Sequence, residues 1–518
     1  MDISAVKPEK GFKIHDTIRR KLYEFPPPSQ HPEVSIYLCG LTTYDFAHLG
    51  NMRGPILFDV FRKFLKEIGY KVRFVTNFTD IDDKVIKRAE EAGDDPFRLS
   101  RKFSREYMKD MSALGIEHAD VYPKVTYHIQ DIIEYVQKII AEGFAYESNG
   151  NVYFDVPKFN ADTKAYGRLS RRNIDEMVTE SRTDFDKNKH NELDFALWKA
   201  DEKYGWNSPW GKGRPGWHIE CSLMSTKYLG ETFDIHSGAI DLKFPHHENE
   251  VAQAHAHSGP DTFARAWMHY EFVNWKGGKL AKSGESFAVR DLFAKYHPEI
   301  IRQFVLSAKY RSPVDYSDEK MEEIKKSRVR IDNFFFEAKR LLGEGIEESS
   351  DNLINKLSAL ERENKLPDSE KIAFDEIIAM SDRFLDDLRD DFNTQGAFSH
   401  IFEAVNAANS LMAIGELTES GREIVNLAYL QVLWAGSIFG LFKDEMNWIM
   451  TNSDAEMLLG NKSGGSDKLA EAKKFVDERT KLKTEKKFAE ADAVRLKIEA
   501  LGYELRDTSE GPVLKPKE

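Results

Sequence analysis

The sequence predicts an α/β fold: a Rossmann-like domain on a parallel sheet with an inserted connective region, followed by a helical bundle domain and a small α+β C-terminal domain. Three observations carry this. An apolar, β-prone run, Val34-Ser-Ile-Tyr-Leu-Cys39, precedes a helix-period pattern (Ile56, Leu57, Val60, Phe61, Phe64, Leu65, Ile68) and a second strand-like run, Lys71 to Asn77; this is a β-α-β unit. From about His297 to Met450, long helical patterns such as Glu319 to Leu342 and Ser369 to Leu388 displace strand signals. Thr451 to Ser466 then has a linker's content of Gly, Ser and Asn.

In chain order, Gly40 breaks the first run, Pro55 suits a first helical turn and Gly69 suits the stop. Cys39 thus falls at a strand's carboxyl end and His48 just before a helix, where open parallel sheets bind ligands and a helix N-terminus favours phosphate. On periodicity alone, a polar surface histidine in a helix-entry loop is the simpler reading. Helices are predicted over Asp95 to Leu114 and near Tyr127 to Glu142, and strands at Gly143 to Tyr146 and Asn151 to Asp155 around an Asn-Gly turn. Ser170 to Leu193 reads as a polar, irregular insertion, and Trp206 to Gly216, rich in Gly, Pro and Trp, as loop. A helix follows Trp217, and another begins near His246 after Phe244-Pro245. Beyond the linker come helices at Leu469 to Lys483 and Lys487 to Leu501, then a hairpin of Tyr503 to Thr508 with Val513 to Lys515. The expected domains are 1–296 (with an insertion at about 125–215), 297–450, a linker at 451–466, and 467–518.

Composition sets limits. The 518 residues suit about three domains of roughly 150 residues each. Hydrophobic content of 41% with 31% charged residues fits a soluble globular chain. No run approaches the roughly 18 apolar residues of a membrane helix, and MDISAVKPEKGFKIHDTIRR has no apolar core of a signal peptide. Two cysteines, Cys39 and Cys221, exclude a disulfide framework and point to a reducing, cytoplasmic setting. A net charge of −13 argues against indiscriminate polyanion binding but permits a local basic face.

Two clusters carry chemistry. In FPHHENE, His246 and Glu250 lie four apart, on one helical face. With the two cysteines they form a thiolate, imidazole and carboxylate set that suits Zn²⁺, with His247 and Glu248 as competing ligands. Ordinary buried thiols are the bland alternative. The run is not H-E-x-x-H, because no histidine stands three residues after Glu248. In Trp275 to Gly284, Lys279 and Lys282 sit three apart in a glycine-flanked loop, able to stabilise charge on a leaving pyrophosphate; a solvated turn is the alternative.

The ordered set CGLTTYD, HLGN, TDIDDK (Thr79 to Lys84), GRPGWHIEC, FPHHENE and KLAKS resembles the cysteinyl-tRNA synthetase family, of class I aminoacyl-tRNA synthetases. The likeness continues through YRSPVDYSDE, DDFNT and KFAEADAVRLKIEALGYELRDT, nearly the whole chain. It implies that His48, Lys279 and Lys282 are catalytic, and that Gly40, His48, Gly50, Asn51, Asp241 and Lys282 bind the nucleotide. It implies zinc on Cys39, Cys221, His246 and Glu250, one ion per chain, choosing His246 over His247. Thr79 and Trp217 would line the cysteine pocket, and Mg²⁺ would accompany ATP. The implied partners are L-cysteine, ATP and tRNA(Cys), without a membrane. The helical and C-terminal parts would take the tRNA stem and anticodon. Competing readings are a ligase joining cysteine to an amino-sugar, which shares the core but lacks the C-terminal extension, a catalytically dead tRNA-binding relative, and hydrolytic zinc chemistry. Departures from the family pattern are Leu41 for Pro, Leu280 and Ala281 for Met and Ser, Gly284-Glu285-Ser286 for Leu-Gly-Asn, and Leu514 for Trp.

Overall fold

The computed structural model describes residues 9–172, 187–260, 262–275, 278–279, 288–343, 350–443, and, beyond these, 474–476, 478–483, 487, 491, 494–495, 497–498, 503–508 and 511–516. Two compact units divide the chain: Met1–Val289 with Glu299–Lys443, and Arg290–Pro298 with Asp444–Glu518.

In the first unit, β1 (Phe12–Asp16) and β2 (Lys21–Phe25) pair antiparallel. β3 (Glu33–Thr42), α1 (Leu49–Glu67) and β4 (Lys71–Thr79) form the expected β-α-β unit. The hydrophobic residues that predict α1, Ile56, Leu57, Val60, Phe61, Phe64 and Leu65, are all buried, and so is every residue from Met52 to Arg62, so the helix is enclosed on all its faces. Arg53 on that helix is also fully buried, and its guanidinium donates to the carbonyls of Glu271 (2.8 Å), Phe272 (2.5 Å) and Ser312 (2.6 Å). Gly40 does not end the strand. β3 runs on to Thr42, with a shift in register against β4 between Leu38 and Leu41. Gly40 N–H donates to Asn77 Oδ1 at 2.8 Å, and a Cβ there would run into the Asn77 carbonyl. Glycine serves close strand approach at this point.

α2 (Asp83–Ala92) and α3 (Pro96–Ala113) follow, α3 capped by the Asp95 side chain with Pro96 in its first turn. The insertion comprises α4 (Ile129–Ala141), β5 (Ala145–Ser148), β6 (Asn151–Phe154), α5 (Val156–Thr163), β7 (Phe195–Ala200), β8 (Trp206–Ser208) and β9 (Gly211–Pro215). Its strands form a five-stranded antiparallel sheet in the order β5-β6-β7-β9-β8. Asn149 (φ 51°) and Gly150 (φ 76°) make the turn that their sequence announces. The loop expected over Trp206 to Gly216 is instead a strand pair, because β9 bonds to both β7 and β8. Ladder pairing from a distant segment overrides weak local strand propensity. Of the polar stretch Ser170 to Leu193, residues 173–186 lie outside the described residues.

α6 (Trp217–Leu229), β10 (Thr232–Ala239), α7 (His246–Ser258) and β11 (Phe263–Tyr270) return the chain to the main sheet. That sheet is wholly parallel, in the order β11-β10-β3-β4, so β3 is an interior strand. Tyr37 of β3, Cys221 of α6 and Trp267 of β11 share one apolar core with Val136, Phe154 and Trp198 of the insertion. β12 (Val273–Trp275) and β13 (Gly278–Lys279) pair antiparallel. α8 (Val289–Phe293), α9 (Pro298–Leu306) and β14 (Val314–Tyr316) lead to the helices α10 (Asp318–Leu342), α11 (Ser350–Arg362), α12 (Asp368–Arg389), α13 (Thr394–Met412) and α14 (Glu419–Phe439). Arg302 on α9 is fully buried against Asp59 of α1 (2.6 Å), fastening the bundle to α1. In the second unit, β15 (Tyr503–Thr508) and β16 (Gly511–Pro516) make the expected hairpin, with Leu514 opposite Leu505. The linker at 451–466 lies outside the described residues.

Candidate metal and nucleotide site

The two cysteines, 182 residues apart in sequence, meet at the carboxyl end of β3. Their sulfurs stand 3.9 Å apart. Donor atoms of Cys39, His246, His247 and Glu250 all lie within 4.8 Å of one another. His246 Nε2 is 3.0 Å from Glu250 Oε1, as four-residue spacing on a helix dictates. His247 Nε2 lies 3.2 Å from Cys39 Sγ. Both histidines left open by the residues alone therefore reach the cluster. Glu248 does not: its carboxylate accepts the backbone N–H groups of Gly167, Leu169 and Ser170.

Burial governs the electrostatics. It pushes Glu250 well above the usual carboxylate range and His236 and His247 well below the usual imidazole range. The hydrogen bond from the Cys39 thiol draws Cys221 down to about 7, while burial pushes Cys39 up. Glu250, His236, His247 and Cys39 are thus driven toward neutral forms in the protein alone, a penalty that a bound dication offsets, while Cys221 is drawn toward the thiolate that such an ion takes. Glu250 Oε2 and His236 Nδ1 are buried without a hydrogen-bond partner. Soft sulfur, imidazole nitrogen and an underused carboxylate oxygen fit a zinc-type ion.

A proton-ordered chain fixes His247. The Thr17 hydroxyl donates to the Trp267 carbonyl at 3.1 Å, so it accepts from His269 Nδ1 at 2.7 Å. His269 Nε2 then accepts from His247 Nδ1 at 2.8 Å. The lone pair of His247 is left on Nε2, facing Cys39.

His48 caps α1. Its Nδ1 accepts from Asn51 N–H (3.3 Å) and its own N–H donates to Asn51 Oδ1 (3.1 Å), a reciprocal box that makes HLGN a helix start in its own right. A Cβ on Gly50 would sit 3.0 Å from the His48 ring, so glycine lets the imidazole fold over the helix end. With Nδ1 used as acceptor, the proton rests on Nε2, a donor at a site where the helix dipole favours phosphate. The chain returns to this point after the lysine loop: Ala288 bridges to His48, and Val289 N–H donates to the Ala47 carbonyl at 2.8 Å. Lys279 pairs with Asn274 through its backbone; Lys282 lies outside the described residues. Asp241 occupies a 3-10 turn (Ile240–Lys243) just past β10.

Of the expected pocket residues, Trp217 stacks on His246 with ring centroids 4.3 Å apart, and the buried Thr79 donates to Glu220 Oε2 at 2.8 Å. Cys39, Thr79 and Asp241 accordingly lie on or just past the carboxyl halves of adjacent strands, beside the His48 cap. Sequence reasoning missed Asn77, Glu220, His236 and His269. Asn77 carried a signal, since period-two alternation along β4 puts it on one face with Thr79. His236 stacks on Trp267 (4.4 Å) and lies 3.4 Å from Cys39 Sγ, contacts made only by tertiary folding.

Residues 25–326 match the family profile of the class I (C) tRNA synthetase catalytic domain, and residues 383–443 match the DALR domain. The cysteine–tRNA ligase of Thermococcus gammatolerans is 41% identical over 508 residues, covering 98% of this chain and 99% of that protein. That of Aquifex aeolicus is 40% identical over 518 residues, with coverage of 98% and 99%. Among solved structures, Mycobacterium tuberculosis methionyl-tRNA synthetase in complex with methionyl-adenylate aligns with a TM-score of 0.55 at 15% identity, over 83% of this chain and 94% of that one, a likeness of fold. The chain belongs to the cysteine–tRNA ligase family of class I aminoacyl-tRNA synthetases.

Proposed function

We propose that this protein is a cysteine–tRNA ligase. The carboxylate of L-cysteine attacks the α-phosphate of ATP, pyrophosphate leaves, and the 3′-terminal adenosine of tRNA(Cys) then takes the cysteinyl group from the adenylate. The observation that carries the reading is the meeting of both cysteines with His246 and Glu250 beside the capped signature helix.

Cys39, Cys221, His246 and Glu250 would hold a zinc ion. Two sulfurs about 2.3 Å from a tetrahedral centre are separated by about 3.8 Å, close to the observed 3.9 Å. When bound, zinc supplies a soft Lewis acid that favours a thiolate over an alcohol. That preference bears on specificity, because cysteine and serine differ by one atom and an ordinary pocket separates such pairs only about 10²-fold. Trp217 and Thr79 flank the place where the substrate would lie. His48 offers an Nε2 donor at the helix N-terminus, and Lys279 and Lys282 add positive charge as the pyrophosphate departs. Gly40, Gly50, Asn51 and Asp241 shape the nucleotide crevice, with Mg²⁺ accompanying ATP. Residues 1–296 would perform activation, 297–450 would meet the tRNA stem, and 467–518 the anticodon.

The test is cysteine-dependent ATP–pyrophosphate exchange with serine as competitor. Exchange with cysteine and at least about 10³-fold weaker exchange with serine is expected, beyond the roughly 10² of an unaided pocket. Equal use of both amino acids overturns the substrate assignment.

A further inference from the structure

A cavity of about 350 Å³ opens beside this site, lined by Thr17, Arg20, Lys243, His269, Glu271 and Arg311 among others. Its cations come from separate parts of the chain. Arg311 is neutralised by Asp391, with Nε 2.8 Å from Oδ2. Lys243 and Arg20 are not: neither side chain has a hydrogen bond or ion pair among the described residues. Glu271 is the one carboxylate on the wall. Arg171 reaches over from the insertion to donate to the Ile18 carbonyl at 3.0 Å, and Arg172 lies over the Phe244 ring at 4.6 Å. Partial burial lowers the proton affinity of Lys243, and the charges of Arg20, Arg172 and Arg171 add to it. Glu248 opposes them, but its oxygens are already taken by three backbone N–H groups.

Two of these arginines also occupy backbone that favours glycine: Arg20 at φ 53° and Arg171 at φ 59°. Both accept a backbone cost to stand where their charge acts on Lys243, on a chain whose net charge is −13. The left-handed backbone at Arg20, and the lack of a counter-charge on Arg20 and Lys243 among the described residues, together fit an anion site.

We propose that this cavity receives a phosphodiester of the single-stranded 3′ end of the tRNA, an inference that rests on the ligase reading above. Ile240 and Lys243 belong to the turn that carries Asp241, and Glu271 follows the end of β11. The cavity therefore lies along the carboxyl edge of the sheet on which the adenylate forms. It is on the β11 side, two strands or about 10 Å from β3 and the signature histidine. That separation leaves the α1 terminus to the nucleotide's phosphates. The other polyanion that must enter this edge is the RNA strand bearing the acceptor adenosine.

Lys243→Met and Arg20→Gly test it in the full chain; the second eases the backbone as it removes the charge, so misfolding does not confound the result. Each is expected to weaken binding of a tRNA(Cys) transcript about 5- to 10-fold, and to lower the slope of log affinity against log salt by about 0.7 to 1. Lys243→Arg should restore both. Cysteine-dependent exchange should stay within about twofold, and the binding penalty should vanish for a transcript lacking the 3′-terminal CCA. Unchanged affinity, an equal penalty for the truncated transcript, or a raised KM for ATP or pyrophosphate each overturns the proposal. Absence of exchange in the unmodified chain would instead defeat the ligase reading, while the transcript measurements still report on the cavity.

Discussion

Arg53 lies one turn into the signature helix and neutralises no carboxylate. Its guanidinium is spent on backbone carbonyls at the end of β11 and ahead of β14, and burial brings its pKa down to about 10. Arg53→Met would leave three carbonyls without their donor, at an expected cost of about 3 kcal/mol or more in urea denaturation. Arg53→Lys should recover little, because an ammonium cannot span the fork geometry. The metal cluster offers a second residue-scale test. Cys221→Ser should lower bound zinc well below one per chain, whereas His247→Ala should keep most of it, because the proposed ligand set draws its imidazole from His246, 3.0 Å from Glu250. The reverse result by elemental analysis would exchange their roles. Little of this was legible beforehand. The HHENE run marks His246 and Glu250 as one helical face, but that His247 also turns toward Cys39 depends on how α7 packs against β3 and β11.

At the scale of elements, α9 and α10 are tied by a buried charge group. Arg328 of α10 lies between Glu299 of α9 and Asp332 one turn along its own helix, and Glu299 also accepts the Phe442 (2.7 Å) and Lys443 (3.1 Å) N–H groups. Burial raises Asp332 to about 7 despite Arg328. An unfolded aspartate loses its proton near pH 4. Between there and about 7 the folded chain binds the extra proton, so stability falls as pH rises through that window, by up to about 1.4 kcal/mol per unit, and levels off above it. Asp332→Asn should remove that slope, as urea titrations from pH 5 to 8 would read out; an unchanged slope would place the titration elsewhere. Helix periods and caps were readable here, since α10 and α12 begin and end within about a residue of their patterns. The β8–β9 pair was not, because its ladder is completed by β7.

For the molecule as a whole, the order of the motifs was informative because those from CGLTTYD to FPHHENE mark the end of a strand or the start of a helix, and parallel topology gathers those points on one edge. The cationic cavity had no such marker: Arg20, Arg171 and Lys243 are ordinary surface residues until folding assembles them. The same gathering has a further effect through the cysteines. The chain has only these two sulfhydryls, and their sulfurs stand 3.9 Å apart at the proposed metal site. No sacrificial thiol exists elsewhere to intercept an oxidant or an alkylating agent. Thiol-directed modification of this protein therefore falls on the residues that would recognise its substrate, and would silence activation before it unfolds the chain.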